Sequence, residues 1–354
     1  MLNQETVMHI LSGIEDPELK KPLTDLGMVK FVQIDGGNVT VGITLTVPGC
    51  PLKEKISSDV TKGVGLIPGV ESVKVVFDVM NEQQRESLRE KLGMSRSAAP
   101  GREPVTIINF AKRFIAVSSG KGGVGKSTVT TNLAVALARQ GYKVGLLDAD
   151  VYGFSIPRML GVDGQPTIID EQIVPLRKGD NLQVVSMGFF VNEDDPVIWR
   201  GPMLHKAINQ FLTDVMWDDL DYLFLDLPPG TGDVTLTIAQ AIPAAELLVV
   251  TTPQATATHV AGRVAKLAER TKLQVLGVIE NMAYFETNGH REYIFGKDGG
   301  KNLAKQLDVP FLGEIPLMSS IREGADTGRP VASNGTNEQI KLFEEIGKRI
   351  HSMS

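Results

Sequence analysis

Ser118-Ser119-Gly120-Lys121-Gly122-Gly123-Val124-Gly125-Lys126-Ser127-Thr128 is the stretch whose reading decides the fold. Phe114-Ile115-Ala116-Val117, a run suited to a β-strand, precedes it. Behind it Leu133, Ala134, Leu137 and Ala138 recur at helical spacing between Val129 and Arg139. Strand, glycine loop and helix in that order make the setting of a phosphate cradle. Glycines let the backbone turn its N–H groups toward an anion and allow close approach, and the helix N-terminus adds the positive end of its dipole.

Two cradles fit the glycines. Gly120, Gly122 and Gly125 satisfy G-x-G-x-x-G, with Asp148 at a distance suited to a ribose contact, as in a dinucleotide-binding loop. Gly120 to Ser127 also satisfies G-x-x-x-x-G-K-S. Lysine and serine directly at the helix start are the more specific signal, because Lys126 would reach the β/γ-phosphates and Ser127 would ligate Mg²⁺. The expected ATP-binding loop therefore runs Gly120, Lys121, Gly122, Gly123, Val124, Gly125, Lys126, Ser127, Thr128. Lys121 adds a second cation beside the phosphates, able to stabilise charge that develops during phosphoryl transfer.

A second element supports the triphosphate reading. Tyr222-Leu223-Phe224-Leu225-Asp226 is an apolar strand ending in a carboxylate, followed by Leu227-Pro228-Pro229-Gly230-Thr231-Gly232-Asp233. Asp226 is placed to hold Mg²⁺ through water, and the turn after it is suited to sensing the γ-phosphate; a dehydrogenase needs no such element. Val144-Gly145-Leu146-Leu147-Asp148-Ala149-Asp150 is another apolar strand with acids at its tip, where carboxylates can steady metal-bound water or orient an attacking one. Tyr152 to Pro157 would then be a switch segment. Val278-Ile279-Glu280-Asn281-Met282 ends a further strand, and the Asn281 amide can offer donor and acceptor to an adenine edge.

At 354 residues the chain exceeds a usual single domain, and 42% hydrophobic content supplies ordinary cores. Its net charge of −6 speaks against general nucleic-acid binding through phosphate neutralisation. No apolar run approaches the about 18 residues of a membrane span, and Met1-Leu2-Asn3-Gln4-Glu5 carries no basic leader, so a cytoplasmic protein without a membrane partner is expected. A single cysteine, Cys50, excludes an internal disulfide framework and a four-thiolate site within one chain.

The domain plan is an α+β unit over residues 1–92, a linker over 93–110 rich in Ser, Ala, Pro and Arg, and an α/β domain over 111–354. In the first, a helix near Leu2–Gly13, strands at Met28–Ile34 and Val39–Val47 joined by Asp35-Gly36-Gly37-Asn38, a helix at Pro51–Leu66 and a strand at Val70–Val79 are expected. Pro51 suits a first helical position, so Cys50 would sit near the helix N-cap with its thiol pKa lowered and more available as a thiolate ligand. In the second, strands at Phe114–Ser118, Lys143–Asp148, Leu182–Ser186, Tyr222–Asp226, Leu247–Thr251, Leu276–Asn281 and Phe311–Ile315 alternate with helices. That pattern predicts a doubly wound, mostly parallel sheet with its ligand at the carboxyl ends of the strands.

The K-G-G-x-G-K-S loop resembles the deviant-Walker-A ATPases, the group containing MinD, ParA and the nitrogenase iron protein. Together with the Asp148 pair, Leu225-Asp226-Leu227-Pro228-Pro229-Gly230-Thr231-Gly232-Asp233 and Asn281-Met282, it resembles the Mrp/ApbC family over residues 110–350. Residues 5–80 resemble the small domain of iron–sulfur assembly factors, whose Cys-Pro matches Cys50-Pro51. The resemblance implies ATP binding and slow hydrolysis by a homodimer. Lys121 would act across the dimer interface, Lys126 on the bound phosphates and Asp150 on the attacking water, with Asp148 in the outer shell of Mg²⁺ and Asn281 at the base. It also implies an iron–sulfur cluster carried to apo-protein clients. One departure matters: the carriers place Cys-x-x-Cys after Asn-Met, and here Ala283-Tyr284-Phe285-Glu286-Thr287-Asn288-Gly289-His290 puts Thr287 and His290 at those places, so thiolate ligation there is excluded. SalA-type regulators also lack the pair, which sets a nucleotide-switched regulator, acting through DNA or a protein partner, beside the carrier.

Overall fold

The computed structural model describes residues 2–17, 21–45, 53–80, 84, 108–150, 153–190, 201–230 and 233–353. Cys50, Tyr152, Thr231, Gly232 and most of the expected linker lie outside the described residues. The chain divides into two compact units, one of residues 1–105 with 167–174 and one of 106–166 with 175–354.

In the first unit α1 (Gln4–Leu11) begins at Asn3, whose side chain accepts the Thr6 N–H at 2.8 Å and so satisfies an orphan donor of the first turn. Strands β1 (Val29–Asp35) and β2 (Asn38–Leu45) form a hairpin closed by the pair Asp35 and Asn38, with Gly36 at φ 57°. Helix α2 (Lys53–Gly65) carries the chain over to β3 (Ser72–Val79), which pairs in parallel with β2. The sheet order is β1-β2-β3. Val7 and Leu11 from α1, Ile56, Val60 and Val64 from α2, and Val39, Val41 and Ile43 from β2 are all buried. The i, i+4, i+8 spacing on α2 places its apolar stripe on one face.

The second unit opens with β4 (Ala111–Ser118), the glycine loop and α3 (Lys126–Arg139), then β5 (Val144–Asp148) and α4 (Ile156–Leu160). The short strands β6 (Ile168–Ile169) and β7 (Gln172–Ile173), which pair with each other, count with the first unit; β8 (Leu176–Lys178) and β9 (Leu182–Ser186) follow in the second. The chain continues through α5 (Gly201–Thr213), β10 (Leu220–Asp226), α6 (Asp233–Ala241), β11 (Glu246–Thr251), α7 (Ala255–Thr271) and β12 (Gln274–Asn281). Beyond it come β13 (Phe285–Thr287), β14 (His290–Glu292), α8 (Gly299–Leu307), β15 (Phe311–Ile315), α9 (Ser319–Asp326), α10 (Val331–Asn334) and α11 (Asn337–Ser352).

Eight strands form one sheet in the order β15-β12-β11-β4-β10-β5-β9-β8, parallel except for the edge strand β8. All seven expected strands lie in it. Because helices cover both faces, central strands are apolar throughout, with Ile115, Ala116 and Val117 of β4 and Leu223, Phe224 and Leu225 of β10 fully buried. Helix α3 contributes Leu133, Ala134, Ala136 and Leu137 to that core, and α11 lies against it with Phe343, Ile346 and Ile350 buried. Gly347 permits this approach, since a Cβ there would stand 3.3 Å from a Leu137 methyl. Thr336 and Gln339 start α11 with a reciprocal capping box.

The strand order reverses around β4, the switch point at which such sheets leave a crevice beyond their carboxyl ends. The glycine loop emerges there.

Candidate functional site

Parallel register builds the site. Asp226 of β10 stands opposite Val117 of β4 on one side and opposite Asp148 of β5 on the other, so two carboxylates end neighbouring strands directly beside the glycine loop. Neither is exposed to solvent. A pair of buried acids needs a cation, and Lys126 supplies it: its Nζ lies 2.7 Å from Asp226 Oδ2, and its side chain is only 6% exposed. Ser127 Oγ donates to Asp226 Oδ2 at 2.6 Å, and Thr130 Oγ1 donates to Asp226 Oδ1 at 2.8 Å. The lysine and serine of the loop and the aspartate of the second strand thus meet as one cluster.

The loop is shaped by its glycines. Gly123 and Gly125 sit at φ 79° and 80°, a region L side chains rarely adopt. A Cβ at Gly125 would come within 2.3 Å of Asn281 Nδ2. That amide donates to Val124 O at 2.8 Å, so Asn281, buried at the tip of β12, ties the loop to the sheet. The Gly230 N–H donates to Ser119 O at 2.8 Å and joins the turn after β10 to the same loop. The cleft above has a volume of about 190 Å³ and is lined by residues 121–128 together with Ser119, Asp150, Ser155, Met159 and Pro229.

Asp148 serves its own chain first. Its Oδ2 accepts from the Ser155 and Ile156 N–H groups, each at 3.2 Å, and from Ser186 Oγ at 3.0 Å, while Oδ1 accepts from the Asp150 N–H at 3.3 Å. It therefore orients the start of α4 and the segment that follows β5. Burial pushes its carboxyl up to about 7, and the neighbouring Asp226 charge pushes the same way. Asp150 faces the cleft and is 8% exposed. Lys121, inside the loop, donates from Nζ to Gln254 Oε1 at 2.7 Å, within the same chain.

The structure thus gathers Lys121, Lys126, Ser127, Thr128 and Asp150 around one cleft, with Asp226, Asp148 and Asn281 directly behind it. Cys50 lies outside the described residues. Sequence reasoning passed over Thr130, Gln254 and Ser186. Thr130 was findable, since it follows Ser127 by three positions on a helix and so shares its face. Gln254 and Ser186 arrive from distant strands and left no local sign. Nor did the reading foresee β13 and β14, a hairpin whose closing pair is Thr287 and His290. Among the described residues no three His, Cys, Asp or Glu side chains gather as a metal site would require. No helix there is long and apolar enough to cross a membrane.

A doubly wound sheet with Lys-Ser at the helix start, an aspartate on the adjoining strand and a lysine inside the loop defines a P-loop nucleoside triphosphatase. Residues 110–351 match the NUBPL iron-transfer P-loop NTPase family, and residues 4–75 match an iron-sulfur cluster assembly protein domain. The chain belongs to that P-loop family, and specifically to its iron-sulfur cluster carriers, joined to the assembly-type domain. It is 47% identical over 350 residues to the iron-sulfur cluster carrier protein of Mycobacterium leprae, covering 95% of this chain and 89% of that one. To the carrier protein of Bacillus subtilis it is 41% identical over 359 residues, covering 99% and 97%. Among solved structures, the nucleotide-binding protein of Archaeoglobus fulgidus in complex with ADP is 39% identical, with a TM-score of 0.58 over 67% of this chain and 93% of that one. The cell division ATPase MinD of Pyrococcus furiosus shares the fold at 24% identity, with a TM-score of 0.52 over 68% and 99%. These relatives favour the carrier over the regulator.

Proposed function

We propose that this chain binds ATP with Mg²⁺ and hydrolyses it slowly as a homodimer in the cytoplasm, the nucleotide state governing transfer of an iron–sulfur cluster to apo-protein clients. The contact that carries the reading is Ser127 Oγ on Asp226 with Lys126 beside both. A hydroxyl and a carboxylate held 2.6 Å apart beside an ammonium form a donor set suited to a hard divalent cation and a phosphate. When bound, Mg²⁺ would neutralise part of the β/γ-phosphate charge; Ser127 would ligate it and Asp226 would hold it through water, with Asp148 behind.

The chain's own groups supply the rest. Backbone N–H groups of residues 120–128 wrap the phosphates, and the α3 dipole adds to their pull. Lys126 leaves Asp226 for the β/γ-phosphates, exchanging one anion for another. Asp150, at the rim of the cleft, orients the attacking water and accepts its proton as the bond to the γ-phosphoryl group forms. Lys121 leaves Gln254 and stabilises the charge developing on the partner's nucleotide. Asn281 fixes the loop through Val124 and stands next to the adenine.

Isothermal calorimetry of the full chain tests this. ATP with Mg²⁺ should bind saturably, and EDTA should weaken binding at least tenfold; no magnesium-dependent affinity would overturn the site. For the cargo, anaerobic reconstitution with iron and sulfide should give visible charge-transfer absorbance in wild type that Cys50→Ala loses. A colourless wild type would remove the cluster.

A further inference from the structure

The first unit carries an open groove of about 900 Å³ that the nucleotide chemistry does not use. One wall is α2, where Lys53, Glu54, Ser57, Ser58, Thr61 and Lys62 recur at i, i+1, i+4, i+5, i+8 and i+9, a single stripe beside the buried Ile56, Val60 and Val64. The other wall is residues 74–77 of β3. Successive residues of a strand point to opposite faces, so four in a row line one groove only when it runs along the strand's edge. Among the described residues β3 is an edge strand, paired with β2 on one side alone. Its outward N–H and C=O groups are a template for another strand.

Charge gives the occupant its chemistry. Lys53, Lys62 and Lys74 face the groove with Glu54 as the one lining acid, on a chain whose net charge is −6. Lys53 Nζ stands 5.2 Å from the centroid of the Phe77 ring on the α2 side of the strand, and its neighbour Val76 is exposed on the opposite side with Lys74, so each flank of the edge pairs an apolar residue with a lysine. A free strand edge favours polypeptide over nucleic acid, which has no matching ladder of donors and acceptors. We propose that this groove docks an extended acidic segment of a partner protein, which adds to β3 as a fourth strand whose side chains fall alternately beside Phe77, Lys53 and Lys62 on one face and beside Val76 and Lys74 on the other. The inference is independent of the nucleotide reading: a chain that failed to bind ATP would still take such a segment.

The test uses the full chain and a fluorescein-labelled octapeptide of alternating Glu and Val, followed by anisotropy. Saturable binding is expected, weakened at least tenfold in the double variant Lys62→Glu with Lys74→Glu, whose side chains are exposed and whose fold should survive. Hydrogen exchange at residues 74–77 should slow when the peptide is added. An alternating Glu-Gly peptide should bind at least tenfold more weakly, and a Lys-Val peptide should not bind. If the Glu-Gly peptide binds equally well, or the double variant keeps wild-type affinity, or exchange at 74–77 does not change, the docking groove is wrong. Lys74 then does no more than guard an edge against self-pairing.

Discussion

Lys126→Met removes an ammonium and keeps most of the apolar stem, so it isolates the charge that neutralises the buried acids at the sheet's tip. That ammonium stands 2.7 Å from Asp226, which has no solvent exposure. Removing one partner of a buried pair costs about 3–5 kcal/mol when the other stays charged. Urea unfolding followed by tryptophan fluorescence reads this unit, because Trp199 and Trp217 both fall in its span. The expected deficit is about 3–5 kcal/mol. A deficit of about 1 kcal/mol or less, the worth of an exposed pair, would refute the claim that Lys126 holds a buried charge in place.

Linkage between protonation and folding acts on Asp148 in the wild-type chain. Its carboxyl, raised to about 7, keeps a proton that the unfolded chain releases above about pH 4, so stability should fall as pH climbs from 4 to 7 and then level off. Asp148→Asn should flatten that slope in urea midpoints taken across the range. Asn281→Ala deletes the bond to Val124 and leaves that carbonyl unsatisfied, so calorimetry should show nucleotide affinity falling by about tenfold, about 1–2 kcal/mol, with the fold intact. Lys121→Ala should abolish turnover while sparing ATP affinity in the monomer. Gln254→Ala, which releases Lys121, should lower the protein concentration at which ATPase activity reaches half its maximum; unchanged concentration dependence would leave the 2.7 Å contact without a role in assembly.

How much of this was legible beforehand divides along one line. Seven of the eight strands of the central sheet read correctly because both faces are buried, so composition alone marks them. Lys126, Ser127 and Asp226 stood out in the sequence because a phosphate, a metal and a strand tip each call for a particular residue type, and the structure brings the three together. What stayed hidden is what arrives from far along the chain. Asn281 was assigned to a base from its position on β12, and the structure adds that its amide is bonded to the loop. Asp148 was assigned to the metal, yet four donors of its own chain converge on it. Neither contact has a local signature, because each is set by the register of strands distant in sequence. The hairpin of β13 and β14 was a different kind of miss. Asn288-Gly289 between short runs is a strong signal for a two-residue turn with both φ positive, and they stand at φ 50° and 78°. Attention to the missing cysteines hid the turn that replaces them.

That replacement bears on what the chain can carry. Where the carriers' Cys-x-x-Cys would fall, Thr287 and His290 pair across an Asn-Gly turn, and the Arg291 guanidinium lies 4.1 Å from the centroid of the Tyr284 ring. Turn chemistry and a cation–π contact close this hairpin, so it needs no metal to fold, unlike sites where ligation and folding are one event. Loss of the thiols here removes ligands without loosening the fold. The chain's one thiol is Cys50, so the homodimer proposed above would bring two. A cluster with four thiolate ligands would be half satisfied by two copies, and the other ligands would have to come from a client or a small thiol. On the proposed reading, cargo held in that way would leave half of its ligand set to the client, which suits transfer better than storage.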